Sequence, residues 1–150
     1  MHKAIGNLWD FHKEGYTVVI PTNLYITTNG NIMGAGLAKD AAERWPLLRE
    51  EYTSRIRLGM PRVWDPGKHI ILLPVKPSMT RDGWPGWMGK ANVSMIEDGV
   101  QWMNEMKFGK RPIACPLLGC GAGWLAKKDI LPILERLDHR FTIVFPEEKS

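Results

Sequence analysis

The chain has 150 residues, 44% of them hydrophobic and 24% charged, with a formal net charge of +4. That balance is the one of an ordinary globular protein, and the length suits a single domain over residues 1–150 with a real core. No apolar run approaches the roughly 20 residues of a membrane span, and "MHKAIGNLWDFHKEG" lacks the apolar centre of a signal peptide, so a cytoplasmic monomer with no membrane role is expected.

Along the chain, "YTVVIP" (16–21) is short, β-branched and aromatic, the pattern of a buried strand. The polar stretch "TNLYITTNGN" follows as a loop or small hairpin. Over 37–45 the spacing predicts an amphipathic helix. Leu37, Ala38, Ala41, Ala42 and Trp45 share one face; Lys39, Asp40, Glu43 and Arg44 take the other. Pro46 interrupts it, and Leu48, Tyr52 and Ile56 continue at i, i+4, i+8 as a second helix. "HIILLPV" (69–75) is the next strand, followed by the tryptophan- and glycine-rich loop "KPSMTRDGWPGWMGK". Val93, Ile96, Val100 and Met103 mark a third helix. "RPIACPLL" (111–118) is a strand opening into "GCGAG", and a last helix runs from about Lys128 to Leu137, with Pro132 tolerable only near its first turn. "FTIVF" (141–145) closes the sheet. Strands alternating with helices predict a sheet covered on both faces.

Two glycine turns each follow a strand region and precede a helix: "MGAG" at 33–36 and "GCGAG" at 119–123. Glycine lets backbone N–H groups approach a ligand, and a helix N-terminus adds positive partial charge, so the pair suits a diphosphate clamp. Either turn alone is better explained by a tight strand-to-helix connection, and it is the pair in equivalent positions that points to a ligand. Neither matches the G-x-G-x-x-G dinucleotide fingerprint or the P-loop. Cys115 and Cys120 are too few for a disulfide framework, and the four scattered histidines complete no metal set with them, so both read as reduced thiols and no metal is expected. The positive charge fits a phosphate-bearing partner, nucleotide or nucleic acid, although the basic residues form no continuous block.

The order "IGNLWD", "VVIPTN", "NIMGAGLAKDAAERWP", "ILLPVK" and "PLLGCGAGWL" resembles the macro domain, the ADP-ribose-binding α/β module. It is most similar to the branch whose loop reads M-G-A-G-[IL]-A, which holds terminal ADP-ribose protein glycohydrolase and the DNA ADP-ribosyl glycohydrolase antitoxins. The resemblance covers about residues 4 to 145. It implies a three-layer α/β/α fold with a mixed central sheet of about six strands, and ADP-ribose as ligand with no further cofactor. It also implies a site, residue by residue. Gly6, Asn7 and Leu8 stand where the family's Gly-Asp-[IL] turn holds the adenine, Asn7 retaining an acceptor but no charge. Asn23 stands beside the distal ribose. Met33, Gly34, Ala35 and Gly36 wrap the diphosphate and distal ribose from one side, and Gly119, Cys120, Gly121, Ala122 and Gly123 from the other, next to Trp124. Lys76 follows "ILLPV" where a lysine of the related branch attacks C1″ of the distal ribose.

The departures concern mechanism. Where one catalytic version carries an aspartate two residues after G-C-G, this chain has Gly123, and Ala126 replaces the aspartate of another version's L-D-W. Asp82, in the long loop after Lys76, is the candidate to supply the carboxylate. Read without the resemblance, Lys76 is a solvated lysine at a strand end. Trp84, Trp87 and Trp124 either stack on a base or pin their loops with buried indoles. Three functions follow: a hydrolase of a terminal ADP-ribosyl linkage on a protein ester, nucleobase, O-acetyl-ADP-ribose or ADP-ribose 1″-phosphate; a non-catalytic ADP-ribose reader; or a single-stranded nucleic-acid binder.

Overall fold

In a computed structural model that describes residues 1–60, 63–121 and 123–147, the alternation of apolar side chains along four central strands sorts them to two faces of one sheet. The strands are β1 (His2–Ile5), β2 (Thr17–Asn23), β5 (Ile70–Lys76), β6 (Ile113–Pro116) and β7 (Phe141–Phe145), in spatial order β1-β7-β6-β2-β5, and every neighbouring pair is parallel. Val18, Ile20, Ile70, Leu72, Ala114 and Val144 face α1 (Leu8–Lys13), α2 (Gly36–Arg44) and α3 (Leu48–Arg57). Val19, Ile71, Leu73, Ile113, Cys115 and Ile143 face α4 (Val93–Glu105) and α5 (Lys127–Leu134). The result is the expected three-layer α/β/α arrangement. The sheet is parallel over its five full strands; antiparallel pairing enters at its β5 edge, where Trp64 and Leu72 exchange both backbone hydrogen bonds. A separate antiparallel pair, β3 (Ile26–Thr27) and β4 (Gly30–Asn31), makes a small hairpin of the polar stretch after β2.

Several boundaries differ from expectation. β1 and α1 precede the first predicted strand, and β6 is shorter than 111–118. Pro132 lies in the second turn of α5, on its exposed side, so the carbonyl it leaves unbonded is that of Lys128, itself exposed. β5 runs through Pro74 to Lys76 because donors on a strand alternate sides. Leu72 N–H points outward to Trp64, so Pro74 lacks a donor only toward the open edge.

The same alternation shapes the centre of the sheet. β2 pairs with β6 at only two positions, Thr17↔Ile113 and Val18↔Ala114. Thr17 N–H donates to Pro112 O and Val18 N–H to His69 O, so Pro21 falls where a donor would face β6. Ile113 N–H donates to Arg140 O, toward β7, so Pro116 falls where a donor would face β2. Two strands that have lost facing donors part at their carboxyl ends. This is also where the chain order reverses, β2 leading to β5 on one side and β6 to β7 on the other, the usual position of a ligand crevice in an open α/β sheet. No helix among the described residues is long and apolar enough to cross a membrane.

Candidate functional site

A cleft of about 1180 Å³ opens over the carboxyl ends of the strands. Its floor is Pro21, Thr22 and Asn23 of β2, Val75 and Lys76 of β5, Pro116 and Leu117 at the end of β6, and Val144 of β7. Gly6, Asn7 and Leu8 border it after β1, and both glycine turns line it, through Met33, Gly34, Ala35 and Gly36 and through Gly119, Cys120, Gly121, Gly123 and Trp124. Ala122 lies outside the described residues. Asp82 does not line the cleft; it is exposed in the loop after Lys76, and no carboxylate reaches the site from there. The carboxylates that do line the cleft, among the described residues, are Asp40 and Glu147.

The first turn is anchored by Met33, 1% exposed in the core cluster that also holds Ile20 and Ala38, with φ +38°. A positive φ at a bulky residue costs free energy that the burial of its side chain, worth about 1.5–3 kcal/mol, offsets. The turn runs straight into α2. Ala35 at the N-cap offers no side-chain hydrogen bond and the first helical turn holds no acid, so no side chain caps the leading N–H groups of a helix whose start lines the cleft. Gly36 adopts φ +55° with open space around its Cα.

The second turn differs. It does not enter a helix: α5 begins only at Lys127, after Trp124 takes φ +59° and Leu125 N–H returns to Gly119 O at 2.8 Å. Gly119 and Gly123 are needed for packing, since a Cβ on Gly123 would lie 2.5 Å from Gly119 O and 2.8 Å from the Cβ of Ala91, whereas Gly121 has open space around it. Ala91 N–H donates to Gly123 O at 2.9 Å, which ties this turn to the loop after Lys76.

That loop is a folded hairpin rather than an open segment. Met79 and Pro85 form an antiparallel bridge, Thr80 N–H donates to Trp84 O, and Gly86 N–H to Ser78 O at 2.9 Å, leading into a 3₁₀ turn at Gly86–Met88. Gly86 sits so close to the chain that a Cβ there would be 1.6 Å from Pro77 O. The turn delivers the Trp87 carbonyl to Lys76, whose Nζ donates to it at 2.9 Å. Lys76 is 8% exposed and is the one formally charged side chain among the described buried residues. Burial pushes its ammonium below the ordinary lysine range, because desolvation disfavours the charged form. The expectation of a solvated lysine therefore fails on geometry. Burial, and then the Asp129 carboxylate, push the Cys120 thiol up, so that it stays protonated. No group of three or more His, Cys, Asp or Glu side chains among the described residues is arranged for a metal ion.

Asn23 Oδ1 accepts from Tyr25 N–H, turning the chain out of β2. Asn7 Oδ1 accepts from Trp9 N–H at 2.9 Å as the N-cap of α1, so the acceptor expected to face a ligand already serves the helix. Trp87 and Trp124 line the cleft, while Trp84 is 60% exposed and does not. None of the three is buried as a loop pin: Trp84 and Trp124 are mostly exposed and Trp87 is 44% exposed. Sequence reasoning missed Trp9 and Asp40, which line the cleft where α1 meets α2, because only the packing of two helices joins residues so far apart in the chain. It also missed the Trp87 carbonyl, a backbone group with no sequence signature.

A scan against protein-family models finds no match to this sequence, and a search of curated proteins finds none either. Solved structures do match. The chain is similar to Thermosipho africanus DarTG in complex with ADP-ribose, with TM-score 0.73 and 20% identity, over 100% of this chain and 43% of that one. It thus spans less than half of that protein. It is also similar to the macrodomain of Thermus aquaticus DarG, with TM-score 0.65, 21% identity, and 98% and 97% of the two chains covered. For the macrodomain of Mycobacterium tuberculosis DarG the values are 0.64, 19%, 97% and 98%. Across these three structures the likeness is one of fold, and the fold is that of the macrodomains.

Proposed function

We propose that this chain binds ADP-ribose in the cleft and hydrolyses a terminal ADP-ribosyl linkage at C1″, with Lys76 as the reacting side chain. The observation that carries the proposal is the convergence of a buried lysine and two amide-lined turns on the crevice where β2 and β6 part. β1 and β5 are the two edges of the sheet, four strand spacings apart, roughly 19 Å at about 4.8 Å each. That span suits a base near Gly6–Leu8, a diphosphate between the turns and a distal ribose beside Lys76. The ADP-ribose carried by the Thermosipho neighbour supports the same choice of ligand.

Amide donors of the first turn would hold the diphosphate charge and fix C1″ in place, which supplies orientation. A neutral Lys76 Nζ then gives its lone pair to C1″ while the bond from C1″ to the conjugate breaks, the leaving group keeping that electron pair. Water adds to the lysyl adduct, returning the amine and releasing ADP-ribose with a hydroxyl on C1″. The conjugate is a protein ester, a modified nucleobase, an acetyl ester or a 1″-phosphate. We place the protein in the cytoplasm as a monomer.

A second function, a non-catalytic reader, is favoured by one observation: Asp82, the carboxylate expected to serve catalysis, stands outside the cleft. Calorimetry with ADP-ribose against AMP tests the ligand; absence of binding defeats both readings. Turnover of ADP-ribosylated protein, ADP-ribosylated DNA and ADP-ribose 1″-phosphate, repeated with Lys76→Ala, separates them. A hydrolase loses turnover and keeps binding, whereas wild type inert on all three substrates is a reader.

A further inference from the structure

We infer that Asp40 is the residue that reads the exocyclic amine of the adenine, a specificity role that rests on ADP-ribose being the ligand. Asn7 sits at the base end of the cleft but its Oδ1 is engaged by Trp9 N–H at 2.9 Å. A base amine needs an acceptor, and Asp40, bonded to Trp9 two residues after Asn7, supplies one. It lies on α2 one turn beyond Gly36, lines the cleft together with Asn7, Leu8 and Trp9, and is half-buried.

Its carboxylate is held in place. Trp9 Nε1–H donates to Asp40 Oδ2 at 3.1 Å, which leaves Oδ1 to accept from another donor. The indole is itself fixed, with the Arg44 guanidinium 4.0 Å above its ring and the edges of His12 and Trp45 against it. Leu8, next to Trp9 in the chain, and Leu37, on the helix of Asp40, add apolar lining to the same cleft. An apolar lining suits the face of a purine, and the carboxylate suits a donor on its edge. Adenine presents an amine at this edge; hypoxanthine presents a carbonyl oxygen, which a carboxylate repels. The discrimination arises because a site built for a donor leaves its own acceptor unpaired, or opposed, by the analogue.

The test is calorimetry of the whole chain with ADP-ribose and with inosine diphosphate ribose, in wild type, Asp40→Ala, Asp40→Asn and Trp9→Phe. The quantity read is the ratio of the two affinities within each variant, which a change in fold stability leaves alone. Wild type is expected to favour ADP-ribose by about tenfold or more. Asp40→Ala brings the ratio to near one, Asp40→Asn keeps part of it through its amide carbonyl, and Trp9→Phe lowers it by freeing the carboxylate to turn. Wild type that binds ADP-ribose with no preference over the inosine analogue, or Asp40→Ala that keeps the full preference, overturns the role of Asp40 and leaves the ligand standing. Wild type that binds neither compound overturns the ligand, and this role with it.

Discussion

The two glycine turns face each other across one cleft, yet their glycines are there for different reasons. In the first, Gly36 takes a left-handed φ with nothing near its Cα, and the turn passes directly into a helix whose leading N–H groups have no side-chain cap. In the second, Gly123 is hemmed in by Gly119 and Ala91, and its carbonyl ties down the hairpin whose Trp87 carbonyl receives Lys76. Gly119 and Gly123 serve contact between chain segments. The first turn leaves room beside Gly36 and the second braces the hairpin that meets Lys76, so similar motifs need not mean similar work.

Mutations can break that division. The largest effect belongs to the second side. Lys76→Ala should reduce turnover by about a hundredfold or more while ADP-ribose affinity in calorimetry stays within a few-fold; equal loss of both would make Lys76 a binding residue. The wild-type rate should climb as pH rises toward a midpoint below the ordinary lysine range, since burial lowers the folded-state value and only the neutral amine reacts. Stability has the same sign. With the folded value lowered from 10.5, the unfolded chain holds the extra proton between the two values, so wild type gains on Lys76→Met as pH rises through that window. Equilibrium urea unfolding of the pair across pH checks it.

Next, Gly123→Ala should cost about 1–3 kcal/mol of stability, seen as a lower urea midpoint, because a Cβ has no place beside Gly119 O. Gly36→Ala is the matched probe on the first side. The strained φ should cost about 1 kcal/mol of stability, but ADP-ribose affinity should fall by about tenfold or more as the methyl enters the space of the ligand. If both variants lose stability and affinity in the same proportion, the two turns are equivalent after all. The smallest effect is expected of Trp84→Ala, whose indole is exposed outside the cleft: within about 0.5 kcal/mol in stability and no change in affinity.

Much of this was legible in the sequence because it depends on runs and periods. Val18–Ile20 and Ile70–Leu73 are uninterrupted apolar strands buried on both faces, and the spacing of α2 and α3 announced their inner stripes. β1 was not legible. It is four residues long and mostly exposed at the sheet edge, so it carries no apolar signature. The end of α5 was placed at Leu137 instead of Leu134 because Leu137 is buried like the helix's own stripe, although the chain there has tightened, with Arg136 N–H donating to Ile133 O and Leu137 N–H to Leu134 O. At the site, glycines and a strand-end lysine can be read from letters. A backbone carbonyl from a 3₁₀ turn, or a tryptophan locking an aspartate on another helix, exists only once the helices and hairpin have met.

Pro21 and Pro116 have a consequence for energy as well as shape. A sheet whose middle strands could bond along their full length would close over the crevice, and a ligand would have to prise them apart. Here the two missing donors keep that seam from ever zipping. A ligand entering the crevice therefore spends none of its free energy on opening the sheet.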